Sequence, residues 1–346
     1  MPILICIDAP DPDNFALVKG VKVLFPDEDV KVMLTGRPVR FKAKKDCQLW
    51  EWDYESSRMA QEASAARLKN FMRNLGVSVC EVYDGGIAPR TLVPHWIHFQ
   101  EYYKFMDVDP LAALRYTELS PQQDLIDWIF EQRDLLKVVV GGPMTGLRQI
   151  IERCPPVADM ISEVHAMFAT WGIVELMDLD WEPRVAQQFN VACDPMSAHF
   201  ILKGLKCPVY LMPTEVTRHP PIGFRTVQAL REALPNNAGV NKFLALYAIW
   251  YDAAIRPRQE KNPDEMIFIH DLVSALSLGE KLRNSIYDVT PVVVDEVPYL
   301  PSDRTIWGTV RMRIPEGAEK TNVYAAKGFL PGGEKLYLKT LYEIFD

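Results

Sequence analysis

The sequence predicts an α/β fold, with a mixed, mostly parallel central sheet flanked by helices in a Rossmann-like layout. Three observations predict it. Short apolar runs alternate with longer amphipathic ones along the chain, and strand-helix alternation at this spacing builds a parallel sheet covered on both faces. The chain has 346 residues, 48 % hydrophobic and 24 % charged, which is ordinary globular composition and enough to bury a large core without staples. Acids and amides also recur just after the strand-like runs, where such sheets gather their ligands.

The elements follow in order. "ILICID" (3–8) reads as a buried strand and "NFALVKGVKVLF" (14–25) as the helix after it. "VKVMLTG" (30–36) is the next strand. "SSRMAQEASAARLKNFMRNLG" (56–76) has helical periodicity and closes on Gly76, a C-cap signal. "VSVCEVY" (77–83) reads as a strand, "PQQDLIDWIFEQRD" (121–134) as a helix and "LKVVVGG" (136–142) as a strand. "TGLRQIIERCP" (145–155) starts a helix that stops at Pro155. "ISEVHAMFA" (161–169) is strand-like, "DPMSAHFILKG" (194–204) helical and "CPVYLMP" (207–213) a strand. Loops near 85–95, 216–225 and 255–265 are long enough to be lids. The tail alternates "TPVVVDEVPYL", "TIWGTVRM" and "TNVYAA", which predicts a small antiparallel addition near 290–346. No repeat or linker interrupts the chain, so 1–346 reads as one domain.

Charge and cysteines narrow the function classes. The formal net charge is −8, which argues against a basic nucleic-acid-binding surface. The longest basic run, "RPVRFKAKK" (37–45), reads as a solvated loop. Six cysteines lie far apart, at 6, 47, 80, 154, 193 and 207, without CxxC or zinc spacing. They read as reduced thiols of an intracellular protein. Neither a signal peptide nor a membrane span is expected, so the reading is cytoplasmic.

Asp8, Asp11 and Asp13 follow the first strand, Thr35 and Arg37 the second, and "GGPMTGL" the strand ending near Val140. "QQFNVACDP" (187–195) follows a long loop, and "IFIHDLVSAL" (267–276) sets His270 and Asp271 at a helix start. These distant segments would meet on one rim. Carboxylates, carbonyls and water there suit a hard cation such as Ca²⁺. "GGPMTG" is not a P-loop, because it lacks the Lys-Ser/Thr pair. "PHWIHF", with His95, Trp96 and His98, has metal-like spacing that amphipathic segments also show freely. Trp181 and Trp250 would either stack on a base or pack.

Four segments in order resemble the inosine-uridine type nucleoside hydrolases. That family carries "DxDPGxDDAxAL", "GPLTNL", "EFNxxxDPEAA" and a late "HD" opening a helix. Here "CIDAPDPDNFAL", "GPMTGL", "QFNVACDPMSA" and "IHDLVSAL" stand in their places and span nearly the whole chain. The resemblance implies a nucleoside-hydrolase-like fold, a Ca²⁺ cofactor, a nucleoside-like small-molecule ligand and self-association as a dimer or tetramer. The chemistry implied is cleavage of an N-glycosidic bond to free base and ribose. By position, Asp8, Asp13, Asp271 and the Thr145 carbonyl match the metal ligands. His270 matches the acid proposed for the leaving base, and Asn190 an amide that binds the ribose.

The sequence also departs from the family pattern. The general-base aspartate position holds Pro12, which has no ionisable group. Pro10 replaces the turn glycine, and Asp11 is the nearest substitute base. Arg37 replaces a ribose-binding asparagine, Gln188 replaces the acid of "EFN", and Glu182 stands near another asparagine position. An arginine beside a Ca²⁺ site is unfavourable unless an anion such as phosphate lies between them. Three readings stand: a hydrolase with a relocated base, a protein for an altered or phosphorylated ribosyl ligand, or a pseudoenzyme kept as a subunit or binding protein. Bland readings stand beside the sharp ones. Asp8 and Asp13 could cap the following helix, His270 could be a core histidine, Asn190 a turn residue and Arg37 a surface cation.

Overall fold

A computed structural model of the chain describes residues 1–8, 12–36, 39–40, 52–74, 77–78, 81–89, 119–171, 188–218, 269–296 and 310–345. Its centre is a nine-stranded sheet in the order β10-β9-β11-β8-β7-β6-β1-β2-β5. The strands are β1 (Ile3–Ile7), β2 (Val30–Gly36), β5 (Val82–Ile87), β6 (Leu136–Val140), β7 (Ile161–Met167), β8 (Val209–Met212), β9 (Tyr287–Glu296), β10 (Arg311–Arg313) and β11 (Val323–Phe329). From β5 across to β11 every neighbouring pair is parallel. Among the described strands of this sheet β9 alone is reversed, pairing antiparallel with β11 on one side and with the edge strand β10 on the other. Two short strands, β3 (Val39–Arg40) and β4 (Trp52–Asp53), pair by themselves.

Ten helices are described: α1 (Pro12–Leu24), α2 (Tyr54–Asn74), α3 (Gln122–Glu131), α4 (Thr145–Arg153), α5 (Phe189–Cys193), α6 (Pro195–Gly204), α7 (Thr214–Thr217), α8 (Leu272–Leu278), α9 (Glu280–Ile286) and α10 (Gly333–Phe345). β1 shows why helices cover both faces. Successive side chains of a strand point to opposite faces. Ile3, Ile5 and Ile7 pack with residues of α1, α8 and α10. Leu4 and Cys6 pack with residues of α3, α4 and α6. All five are buried, and each buried aliphatic side chain stabilises by about 1.5–3 kcal/mol.

Several element boundaries differ from the sequence reading. The strand expected at 77–83 begins at Val82 and runs on to Ile87, through a stretch expected to open a loop. Its register pairs Val32 with Val82 and Gly36 with Ile87. At Gly85 a Cβ would stand 2.8 Å from the Leu34 backbone, so glycine is what lets the chain continue beside β2. The strand from Ile161 ends at Met167, and Ala169 beyond it has φ 73°. A short helix, α5, precedes the expected α6, because Gln188 caps its own turn. The helix α10 was not anticipated in the tail; it packs Tyr337, Leu341 and Ile344 into the core. Cys6 and Cys193 are buried, while Cys154 and Cys207 are half-buried. Among the described residues no helix is long and apolar enough to cross a membrane.

The topology fixes where a ligand site belongs. β1 has β6 on one side and β2 on the other. The chain therefore leaves β1 first toward β2 and β5, then returns on the opposite side through β6, β7 and β8. Ligands of open α/β sheets sit at such a switch point, outside the carboxyl ends of the strands. Here that crevice lies beyond β1 and β6, at Asp8 and Gly141–Gly142.

Candidate active site

The two glycines let the ends of β1 and β6 close on each other. Gly141 N–H donates to the Cys6 carbonyl at 2.8 Å. A Cβ at Gly142 would stand 2.8 Å from the Asp8 nitrogen and 2.9 Å from its Cβ. A Cβ at Gly141 would stand 3.0 Å from Asp271 Cγ and 3.1 Å from Asn14 Oδ1. Asp8 thus packs closely on Gly142, and Asn14 and Asp271 pack closely on Gly141. All three side chains are buried, at 1 %, 1 % and 3 % exposure.

Helix packing brings them there. At Gly20 a Cβ would come within 2.5 Å of Leu272 Cδ1, so α1 and α8 approach closely. Asn14 lies in the first turn of α1, and Asp271 is the residue just before α8. Asn14 Nδ2 donates to Asp8 Oδ1 at 3.1 Å. Its Oδ1 is buried without a hydrogen-bond partner among the described residues.

The other predicted residues are distributed as follows. Asp13 is half-buried, and its Oδ1 accepts from the Asn14 backbone N–H at 3.2 Å. Among the described residues no three His, Cys, Asp or Glu side chains are gathered closely enough to hold an ion, so the trio Asp8, Asp13 and Asp271 does not form one cluster by itself. Thr145 opens α4, and its Oγ1 donates to Asp194 Oδ2 at 2.8 Å. Asp194 also caps α6, accepting from Ser197 N at 3.0 Å and Ser197 Oγ at 2.6 Å. Asn190 Nδ2 donates to the carbonyls of Gly141 at 3.1 Å and Met167 at 3.2 Å, tying the ends of β6 and β7 together. Gln188 Oε1 accepts from Val191 N at 2.9 Å, and its Nε2 lies 3.1 Å from Met167 Sδ. The amide expected to face a sugar thus also serves as a helix cap.

His270 Nδ1 lies 2.7 Å from Thr217 Oγ1. Burial, helped by the nearby Arg218 guanidinium, pushes its pKa down to about 3. This imidazole is therefore neutral at neutral pH. Asp11, Arg37, Glu182, Trp181, Trp250 and the "PHWIHF" histidines lie outside the described residues. Pro12 is the first residue of α1, a position where a missing N–H costs nothing.

The donor set suits a hard cation. Asp271 and the Asn14 oxygen both stand against Gly141, Asp8 is bonded to Asn14 Nδ2, and calcium takes carboxylate and amide oxygens. The Asn14 oxygen, without a hydrogen-bond partner among the described residues, is the feature that fits an ion there. Asn14 and Asp194 were missed in the sequence. Asp194 carried a readable signal, an Asp-Pro at a helix start. Asn14 carried none beyond being next to Asp13. A separate cavity of about 620 Å³ lies at the β5 edge, lined by Arg58, Asp84, Gln122 and Gln149 among others, and none of these candidate residues reaches it.

Comparison with known proteins agrees with this layout. The chain superposes on the inosine-uridine preferring nucleoside hydrolase from Bacillus anthracis with a TM-score of 0.66 at 12 % identity, covering 99 % of this chain and 98 % of that one. For the purine-preferring ribonucleoside hydrolase from Gardnerella vaginalis the TM-score is 0.67 at 17 % identity, with the same coverage of 99 % and 98 %. A plant nucleoside hydrolase gives 0.68 at 14 % identity, again over 99 % and 98 %. At such identities the likeness is one of fold. No curated protein matches the sequence. The family model described as inosine-uridine preferring nucleoside hydrolase matches residues 59–321. That stretch holds the "GPMTGL", "QFNVACDP" and "IHDL" segments whose residues meet around Gly141, and the chain belongs to that nucleoside hydrolase family.

Proposed function

We propose that this protein is an N-ribosyl hydrolase that uses Ca²⁺ to cleave a nucleoside, or a related ribosyl compound, to free base and ribose. The observation that carries the reading is the placing of buried Asp271 and the Asn14 oxygen against Gly141, with buried Asp8 hydrogen-bonded to Asn14 Nδ2, at the switch point of the sheet. A calcium ion bound there would act as a Lewis acid toward water and would orient the ribose hydroxyls. Asp8 and Asp271 hold it, with the Thr145 carbonyl and Asp13 as further ligands. Asp11 takes the proton of the attacking water, in place of the carboxylate that Pro12 lacks. Asn190 and Gln188 line the sugar side, joined by Glu182. His270, half-buried and neutral, offers the leaving base a hydrogen bond. Arg37 pairs with an anion such as the phosphate of a nucleotide. The whole chain acts as one domain and assembles with copies of itself.

The test is release of free base from purine and pyrimidine nucleosides and their 5′-monophosphates, with Ca²⁺ and with chelator. Ca²⁺-dependent release that disappears in Asp271→Asn supports the reading. Release from monophosphates alone assigns Arg37 its anion.

Pro12 favours a second reading, a catalytically impaired member that binds a ligand or serves as a subunit. Loss of a general base costs about 10²–10⁴ in rate. Under this reading Pro12→Asp raises hydrolysis from a near-zero level. No gain in folded, Ca²⁺-binding Pro12→Asp protein would show that more than one residue disables the site.

A further inference from the structure

We propose that Asn14 is itself a cation ligand: its Oδ1 donates to the ion that Asp8 and Asp271 hold, while its Nδ2 steadies the Asp8 carboxylate. The inference rests on the metal reading above and adds a residue that the resemblance does not supply.

The side chain is 1 % exposed, and its Oδ1 has no hydrogen-bond partner among the described residues. Leaving a buried polar atom without a partner is costly, and native proteins rarely do so without a reason. The amide cannot relieve this by flipping. Nδ2 lies 3.1 Å from Asp8 Oδ1, and a flip would set a carbonyl oxygen against a carboxylate oxygen. The orphan oxygen is therefore fixed in direction. It faces the same point as Asp271 Cγ, with both within 3.1 Å of where a Gly141 Cβ would stand.

Charge also favours a neutral donor. An amide oxygen adds coordination without adding to the negative charge of the carboxylates. Helix geometry then distinguishes Asn14 from its neighbour. Consecutive residues of a helix point about 100° apart, so Asp13 and Asn14 do not both face one cleft squarely. It is Asn14 that reaches Asp8 and the Gly141 space.

The test is calorimetric titration of CaCl₂ into chelator-stripped protein, with thermal melts of each variant in chelator to show that it is folded. Asn14→Ala is expected to weaken Ca²⁺ binding by about tenfold or more. Asn14→Asp restores an oxygen at the same place. It is expected to melt lower than wild type in chelator, because Asp8 then faces another carboxylate, and to gain more from added Ca²⁺. Asp13→Asn is expected to lose less affinity than Asn14→Ala. Wild-type affinity in folded Asn14→Ala protein overturns the inference while leaving the metal reading intact. Asn14→Asp binding as weakly as Asn14→Ala also overturns it, because a returned oxygen would then be no donor. If wild type itself binds no Ca²⁺, the metal reading falls and this inference falls with it.

Discussion

Gly141→Ala and Gly142→Ala separate the binding space from the frame that surrounds it. The two glycines are adjacent, and neither has a positive φ, so alanine meets no backbone strain at either. What differs is the neighbour each new methyl group meets. At Gly141 it would lie 3.0 Å from Asp271 Cγ, 3.1 Å from Asn14 Oδ1 and 3.2 Å from Asp271 Cβ. Those contacts are tight, but they fall on side chains that can yield by a few tenths of an ångström. The expected stability loss is about 1 kcal/mol, the lower end for overpacking. At Gly142 the methyl group would lie 2.8 Å from the Asp8 nitrogen and 3.0 Å from the Ile7 carbonyl carbon. Those are backbone atoms of a fully buried strand, and the loss should approach about 3 kcal/mol. Gly141 itself cannot retreat, because its N–H donates to Cys6 and its carbonyl accepts from Asn190. Gly141→Ala should therefore keep most of its stability in a urea titration while losing Ca²⁺ affinity by calorimetry and base release by about 10²-fold, the usual cost of a displacement of about 1 Å. A folded Gly141→Ala protein with wild-type Ca²⁺ affinity would refute the claim that Asp271 and Asn14 share that space.

Other perturbations test the frame. Asp194→Ala leaves Thr145 Oγ1 and the Ser197 N–H without their carboxylate. A loss of about 3 kcal/mol in denaturant unfolding is expected, with activity falling as the start of α4 loosens. Leu272→Ala empties the contact with Gly20. It should cost about 2–5 kcal/mol and lower Ca²⁺ affinity, because Asp271 adjoins it. Stability should also fall in mild acid. Burial, with Arg283 and Lys137 nearby, holds the His165 pKa below its ordinary 6.5, against the opposing pull of Glu163. Below about pH 6.5 the unfolded chain then binds more protons than the folded one, so stability present at neutral pH is lost as pH drops, by at most about 1.4 kcal/mol per unit per site. His165→Gln should flatten the part of that slope that His165 contributes, in urea titrations from pH 7.5 to about pH 5. An unchanged slope would mean that His165 does not set it.

The sheet was legible because its evidence is local. A buried parallel strand needs a continuous apolar run, and β1, β2, β6 and β8 each carry one. β5 was misplaced because its register is decided by contact with another strand. "VSVCEVY" has the better strand composition, yet pairing starts at Val82 and proceeds through two glycines that read as a break. In the tail, three short apolar runs drew attention to strands. α10 follows them and is held by its packing into the core around Phe15 and Leu17, which a one-dimensional pattern does not carry.

The site divides along the same line. Asp8 and Asp271 could be placed at the ends of elements from the sequence, and a residue at an element's end keeps its place when the fold is right. Asn14 could not, since its role depends on how far apart α1 and α8 lie. That distance is set at Gly20, a helix glycine that costs roughly 1 kcal/mol against alanine in propensity. In the sequence it reads as a blemish in α1. In the folded chain it is the point where Leu272 and Ala275 come against the helix, which draws Asp271 toward the first turn of α1. The opening turn of this chain lost an ionisable group at Pro12 and a glycine at Pro10. Its helix sets Asn14 Nδ2 on Asp8 and Asn14 Oδ1 against Gly141, where Asp271 also stands. The proposal that this crevice binds an ion rests on that oxygen, and Ca²⁺ titration of wild type and Asn14→Ala decides it whether or not the reaction survives Pro12.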